Sequence, residues 1–227
     1  MVRQLKDKRD YLRVHNKQKD EHMKAQWIHI TALTLCLGVG STLEIHGSSY
    51  SNQRTEVVNT DAGNIDFTFV SYVRHPRAFH KIQKIDLDDR CIVLDDGSHW
   101  RVSKTDIVKG WNQGKVVVTQ NHAGFSTSRY ALANVDLKLA VPASLECEPA
   151  PDKENAYVKG VDRVNDIINL SDGKNWIVHS SDRGALSKIN INDRVVIGAN
   201  TGDNRDKSPY LLIDTSSNHF VRAHPIE

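Results

Sequence analysis

One segment of this chain occurs twice. Residues 84–102 read KIDLDDRCIVLDDGSHWRV and residues 160–178 read GVDRVNDIINLSDGKNWIV. At a spacing of 76, Asp86, Ile92 and Leu94 fall opposite Asp162, Ile168 and Leu170. Asp96, Gly97, Trp100 and Val102 fall opposite Asp172, Gly173, Trp176 and Val178, and Asp106 opposite Asp182. A two-residue insertion in the second copy brings Trp111 opposite Ile189 and Val117-Val118 opposite Val195-Val196. Two more align Ser128–Leu132 with Ser208–Leu212, and Val141 and Val221 close the units. Similarity that persists end to end, with insertions only between apolar runs, marks one supersecondary unit used twice.

Within each unit the apolar pattern selects strands and a register. Strand one is read over 85–94 and strand two over 98–103. A two-residue Asp96-Gly97 turn would put Trp100 on the face opposite Ile92 and Leu94. A three-residue loop over Asp95-Asp96-Gly97 pairs 94 with 98 and 92 with 100, which gathers Ile92, Leu94, Trp100 and Val102 on one face. The same choice gathers Ile168, Leu170, Trp176 and Val178. A one-residue slip turns every side chain over, so burial chooses the three-residue loop, closed by Gly97 or Gly173 in the left-handed region. A polar stretch after strand two suits a short helical turn. Valine- and isoleucine-rich runs at 115–120 and 194–197 follow, then 130–134 and 210–214, and a last strand ends near Val141 or Val221. The expected fold is all-β: two tandem small SH3-like barrels or half-open rolls, each with a helical turn, preceded by an N-terminal signal helix.

The rest of the chain divides around this pair. Trp27–Leu43, WIHITALTLCLGVGSTL, follows a basic stretch and ends among small residues, the arrangement of an export signal. It is short for a spanning helix, which leaves an uncleaved anchor as the alternative. Met23-Lys24 stands directly before it, so residues 23–43 read as signal peptide or anchor, and 1–22 as an extension or mis-assigned start. Leu35 before Cys36 is not the small residue that lipid attachment requires. Residues 44–64, rich in Ser, Asn, Thr and Gly, read as a flexible linker. Ile65–Val73 shows apolar alternation and is expected to add a strand to unit one, which spans 65–145. Residues 146–155, with two prolines, read as the linker to unit two, 156–227.

The D-G-x-x-W-x-V motif, the apolar anchor at Trp111 or Ile189, Val-Val and Tyr-x-Leu together resemble uncharacterised exported bacterial proteins that carry one or two such units. The resemblance covers residues 80–145 and 156–227. It implies localisation and architecture, and it supplies no active-site residues.

Charge narrows the function classes. Residues 1–26 hold eight Lys/Arg against four Asp/Glu, whereas residues 44–227 hold 22 against 24. The exported part has no basic stripe, which argues against nucleic acid as a partner. Trp100 and Trp176 are read as core rather than as stacking platforms, and Trp111 as core or cover. The acidic clusters at Asp86, Asp88, Asp89 and at Asp203, Asp206 read as solvated turns, because neither has calcium-loop spacing. The eleven histidines show no HExxH pattern, and His99 and His179 are read as surface residues. No G-x-S-x-G occurs. No cofactor is expected. Cys91 and Cys147 could form a disulfide in an oxidising compartment, or remain free, one buried and one exposed.

These features point to an exported, non-catalytic binding or structural module of the bacterial envelope or exterior. The partner would be an envelope protein, a host factor or a cell-wall component, with the membrane engaged only through the N-terminal segment. The binding surface is expected at Arg129, Tyr130 and Tyr210 with loops 121–128 and 198–208, where the two units diverge most. The rivals are a hydrolase with Asp and His side chains in a cleft between the units, and a passive spacer.

Overall fold

A computed structural model describes residues 57–111, 114–123, 127–151 and 155–226. The expected leader (23–43), the extension before it and residues 44–56 lie outside the described residues. Among those described, no helix is long and apolar enough to cross a membrane. The fold is all-β, with helical structure confined to single turns.

The hairpin reading holds in detail. Strands β4 (Cys91–Leu94) and β5 (His99–Val102) pair Ile92 with Trp100, and Leu94 N donates to Ser98 O at 3.0 Å. Strands β10 (Ile167–Leu170) and β11 (Asn175–Val178) pair Ile168 with Trp176. Gly97 and Gly173 sit at φ +82° and +84°. The four apolar residues of each hairpin are buried, as the register requires.

Each half has six strands where five were expected, because the run over 85–94 is two strands. β3 (His80–Asp86) turns back into β4 through residues 87–90, and β9 (Ala156–Asp162) turns into β10 through 163–166. The cause is an aspartate at the strand end. Asp86 Oδ1 accepts from Asp89 N, and Asp162 Oδ1 from Val164 N and Asn165 N. Arg90 and Asp166, 76 residues apart, close these turns at φ +56° and +58°. The halves even share a bulge: Gln83 and Lys159 are skipped in the β3–β4 and β9–β10 ladders.

The remaining strands of the first half are β6 (Lys115–Gln120), β7 (Tyr130–Asn134) and β8 (Leu139–Cys147). Those of the second are β12 (Arg194–Ala199), β13 (Tyr210–Asp214) and β14 (His219–Pro225). In the first half the pairings run β3-β4-β5-β8-β7-β6 and back to β3. In the second they run β9-β10-β11-β14-β13-β12 and back to β9. Each half is therefore a closed ring of six strands without free edges. Pairing of Val116 with Asn134 and of Val195 with Asp214 sets the offset at 79 across β6 and β12. Val117-Val118 thus matches Val196-Ile197, one residue beyond the expected alignment. Alternating Val and Ile runs match equally well in either register, and only the pairing to β7 and β13 distinguishes them.

The halves are fused rather than strung together. β6 and β12 run side by side in parallel at Thr119 and Ala199, and Gly198 makes this possible. A Cβ there would lie 2.2 Å from Val118 O. Strands β6, β7, β12 and β13 are buried on both faces along most of their length. Val116, Val118, Tyr130 and Leu132 fill the first core together with Val196, Leu211 and Ile213 from the second half. Val117, Ala131 and Ala133 reach the second core. This explains why these four runs read as nearly continuous apolar sequence.

The N-terminal segment departs from expectation. β1 (Val57–Thr60) and β2 (Gly63–Asp66) form their own hairpin, followed by helix α1 (Phe69–Tyr72) and a 3-10 turn over Pro76–Ala78. No added strand of unit one runs over 65–73. The buried carboxyl of Asp66 accepts from Thr68 N and pairs with Arg205 at 2.5 Å, which bends the chain out of extension. Ile65, Phe67 and Phe69 are buried, but in the core that contains Trp176. The expected linker is likewise partly built in: β8 runs on to Cys147, and Ala150 N donates to Asp96 O.

Candidate functional site

Tyr130 and Tyr210, expected on a binding surface, are core residues with 0% and 4% exposure. Both lie on strands buried on two faces, so their rings pack inward. Tyr130 meets Trp100 edge-on at 5.7 Å, and Tyr210 meets Trp176 at 5.2 Å. Tyr130 donates from its hydroxyl to Asn218 O at 3.2 Å, and the Tyr210 hydroxyl accepts from Arg74 N and His75 N at 2.8 and 3.0 Å. Burial raises the pKa of Tyr130. Only Arg129 of the three stays exposed.

Cys91 and Cys147 are free thiols, one buried and one exposed. β5 runs between their strands, with Cys91 opposite Arg101 and Cys147 opposite His99. Two strand spacings put the pair about 10 Å apart, beyond disulfide reach. Trp100, Trp176, Trp111 and Ile189 are all fully buried. Asp86 and Asp89 share an ordinary turn, and no three-residue group of metal-type ligands occurs among the described residues.

The two divergent loops converge across the junction. Gln120 Nε2 donates to Asn200 Oδ1 at 3.0 Å, and Thr201 N to Gln120 Oε1 at 3.2 Å. His122 Nε2 lies 2.9 Å from Thr201 Oγ1. Buried Asn200 holds its own loop by donating to Asp203 O and Ser208 O. Beside these residues runs a groove of about 530 Å³, walled by Gln120, His122, Arg129, Asp203, Phe220 and Arg222. Both halves contribute to it.

Its electrostatics are uneven. Arg222 is neutralised by Asp182, which accepts from Nε and Nη2 at 2.9 and 2.7 Å. Arg129 has no carboxylate partner among the described residues; Nη1 donates to Asn218 O at 2.7 Å. His219 Nδ1 lies 2.7 Å from Ser217 O, and its Nε2 lies 2.9 Å from Lys188 Nζ. Burial lowers the pKa of His122 against the pull of Asp203. The groove thus combines one guanidinium without a carboxylate partner among the described residues, two imidazoles, an aromatic edge and side-chain amides. It suits polar recognition. Sequence flagged the loops through their divergence, but His122, His219 and Arg222 have no signal of their own.

A second polar site lies at the junction, where a cleft between the units was considered. Buried His80 stands with Nε2 3.2 Å from Ile197 O and Nδ1 3.6 and 3.8 Å from Asp95 and Asp96. Burial works to lower its pKa, but the two aspartates and the carbonyl outweigh it and the pKa is raised. The junction thus holds a buried histidine whose Nε2 meets a carbonyl and whose Nδ1 faces two carboxylates.

Comparison of the chain with protein-family models, with curated proteins and with solved structures finds no match.

Proposed function

We propose that this protein is an exported, non-catalytic binding module of the bacterial envelope, made of two copies of one small SH3-like barrel with one strand more than that fold's usual five. The observation that carries the proposal is the convergence of loops 121–123 and 200–206 with Arg129 on a single groove. Loops on a rigid scaffold are where binding specificity is commonly built. The apolar segment 27–43, with its basic approach and small-residue end, supports export. The partner is a cell-wall component or another envelope protein that presents an acceptor to Arg129.

The test is fractionation of cells expressing the full chain, followed by co-sedimentation of the purified protein with isolated envelopes. The expected result is a species outside the inner membrane that binds envelopes, with binding lost in Arg129→Glu. A cytoplasmic protein that fails to sediment with envelopes would overturn the proposal.

A further inference from the structure

The Arg129 groove does not stop at Asp203. A second cavity of about 580 Å³ adjoins it, reaching Asn64, Asn204 and Asp206, and His122, Gly202 and Asp203 line both. Gly202 therefore lies where the two meet. A Cβ there would stand 3.4 Å from His122 Cε1, so a longer side chain would rise beside His122 and narrow the passage. The site is elongated, and the formal charges on its walls cancel: Arg129, Arg205 and Arg222 against Asp182, Asp203 and Asp206. Two of the arginines are already satisfied, Arg222 by Asp182 and Arg205 by Asp66. Along the walls, Arg129 offers donors, Asp203 an acceptor, and the amides of Asn64 and Asn204 both. Phe220, partly buried against Tyr130, adds an aromatic edge.

These features disfavour two classes of partner. A surface whose charges cancel exerts little long-range pull on a polyanion or a polycation. An extended peptide is commonly held by main-chain hydrogen bonds to a free strand edge. β6 and β14, which carry Gln120 and Phe220, are instead paired on both sides. A neutral sugar chain fits the same walls, because each of its hydroxyls both donates and accepts, and its ring C–H face can cover an aromatic edge. We infer that this elongated groove binds a neutral glycan strand, laid across Gly202 with its hydroxyls meeting Arg129 and Asp203. The inference rests on the binding role proposed above and names the class of its partner.

The experiment is calorimetric titration of the full-length protein with tetrasaccharides of β-1,4-linked N-acetylglucosamine, β-1,4-linked glucose and α-1,4-linked glucose. The matching monosaccharides and the acidic tetramer of galacturonate are titrated beside them. At least one neutral tetrasaccharide is expected to bind, with its monosaccharide and the acidic tetramer at least about tenfold weaker. Asp203→Ala should weaken that binding by about fivefold or more through a lost acceptor, and Gly202→Leu by a similar factor through obstruction. Near-ultraviolet circular dichroism of the buried tryptophans reports whether each variant has folded, and if neither has, the ligand comparison decides alone. Failure of all three neutral tetrasaccharides to bind overturns the inference, as does equal binding of the monosaccharide or the acidic tetramer, or unchanged binding by folded variants. Envelope sedimentation without tetrasaccharide binding would keep the binding role and overturn the glycan. Tetrasaccharide binding without sedimentation would do the reverse.

Discussion

The two halves share a backbone path but are closed by different parts of the chain. In the first, the hydroxyl end of Tyr130 is covered by the β13–β14 turn of the second half, through Asn218 O and the ring of Phe220. In the second, the matching end of Tyr210 is covered by the N-terminal segment. Arg74 N and His75 N donate to the hydroxyl, and His75 lies 5.3 Å from the Trp176 ring. The hairpin aspartates follow suit: Asp96 faces His80, and Asp172 accepts His75 Nε2 at 3.2 Å. Two halves with one strand path can share their internal contacts, but they cannot share a neighbour on the same side. Whatever chain lies outside the pair has to close the second copy.

The largest effect that could break this comparison lies at the fusion itself. Gly198→Val drives a side chain into Val118 O and is expected to cost about 3 kcal/mol or more by urea denaturation. Thr119→Val, at the matching place in the first half, should cost about 1 kcal/mol through its lost hydroxyl contact. Equal costs would mean that the halves are not held at the β6–β12 approach.

The tyrosines sharpen the contrast between the two closures. Tyr210→Phe strands two backbone N–H donors and should cost about 2 kcal/mol. Tyr130→Phe removes one donor from a carbonyl that Arg129 still reaches, and should cost about 1 kcal/mol. Hydrogen exchange at Arg74 and His75 should rise only in the first variant. An unchanged exchange rate there would show that the N-terminal segment is held by its apolar residues alone.

The smallest effect is a pair of opposite pH dependences. His80 has a raised folded pKa, so its contribution is present below the unfolded value of about 6.5 and lost as pH rises through the folded value. Burial, then Lys174, lowers the pKa of His75 despite Asp172. Its contribution is present above about 6.5 and lost as pH falls through the folded value. Urea midpoints measured between about pH 5 and 9 should therefore flatten in opposite windows for His80→Gln and His75→Gln. Matching profiles would remove the electrostatic distinction between the halves.

Much of the local structure was legible because burial and register are coupled. The Ile92–Trp100 and Ile168–Trp176 pairs follow from the apolar pattern and the Asp-Gly turn, and the core place of both tryptophans follows with them. The Asx turns after Asp86 and Asp162 were missed because Asp-rich turns and strand ends look alike when read one residue at a time. Tyr130 and Tyr210 were misplaced on the surface because a run such as YALAN or YLLID has two faces. Which of them is covered depends on a sheet from the other half.

The all-β class, the hairpin register and the loops where the two halves differ most were legible in the sequence, because each rests on periodicity or on turn chemistry within a few residues. The fusion of the halves through β6 and β12 came from packing at long range. That packing brought Arg129 beside His219 and Arg222, and set Arg74 N and His75 N against the Tyr210 hydroxyl. Those relations join residues tens to more than a hundred positions apart. They depend on how closely two backbones approach at Gly198, a distance that no local pattern encodes.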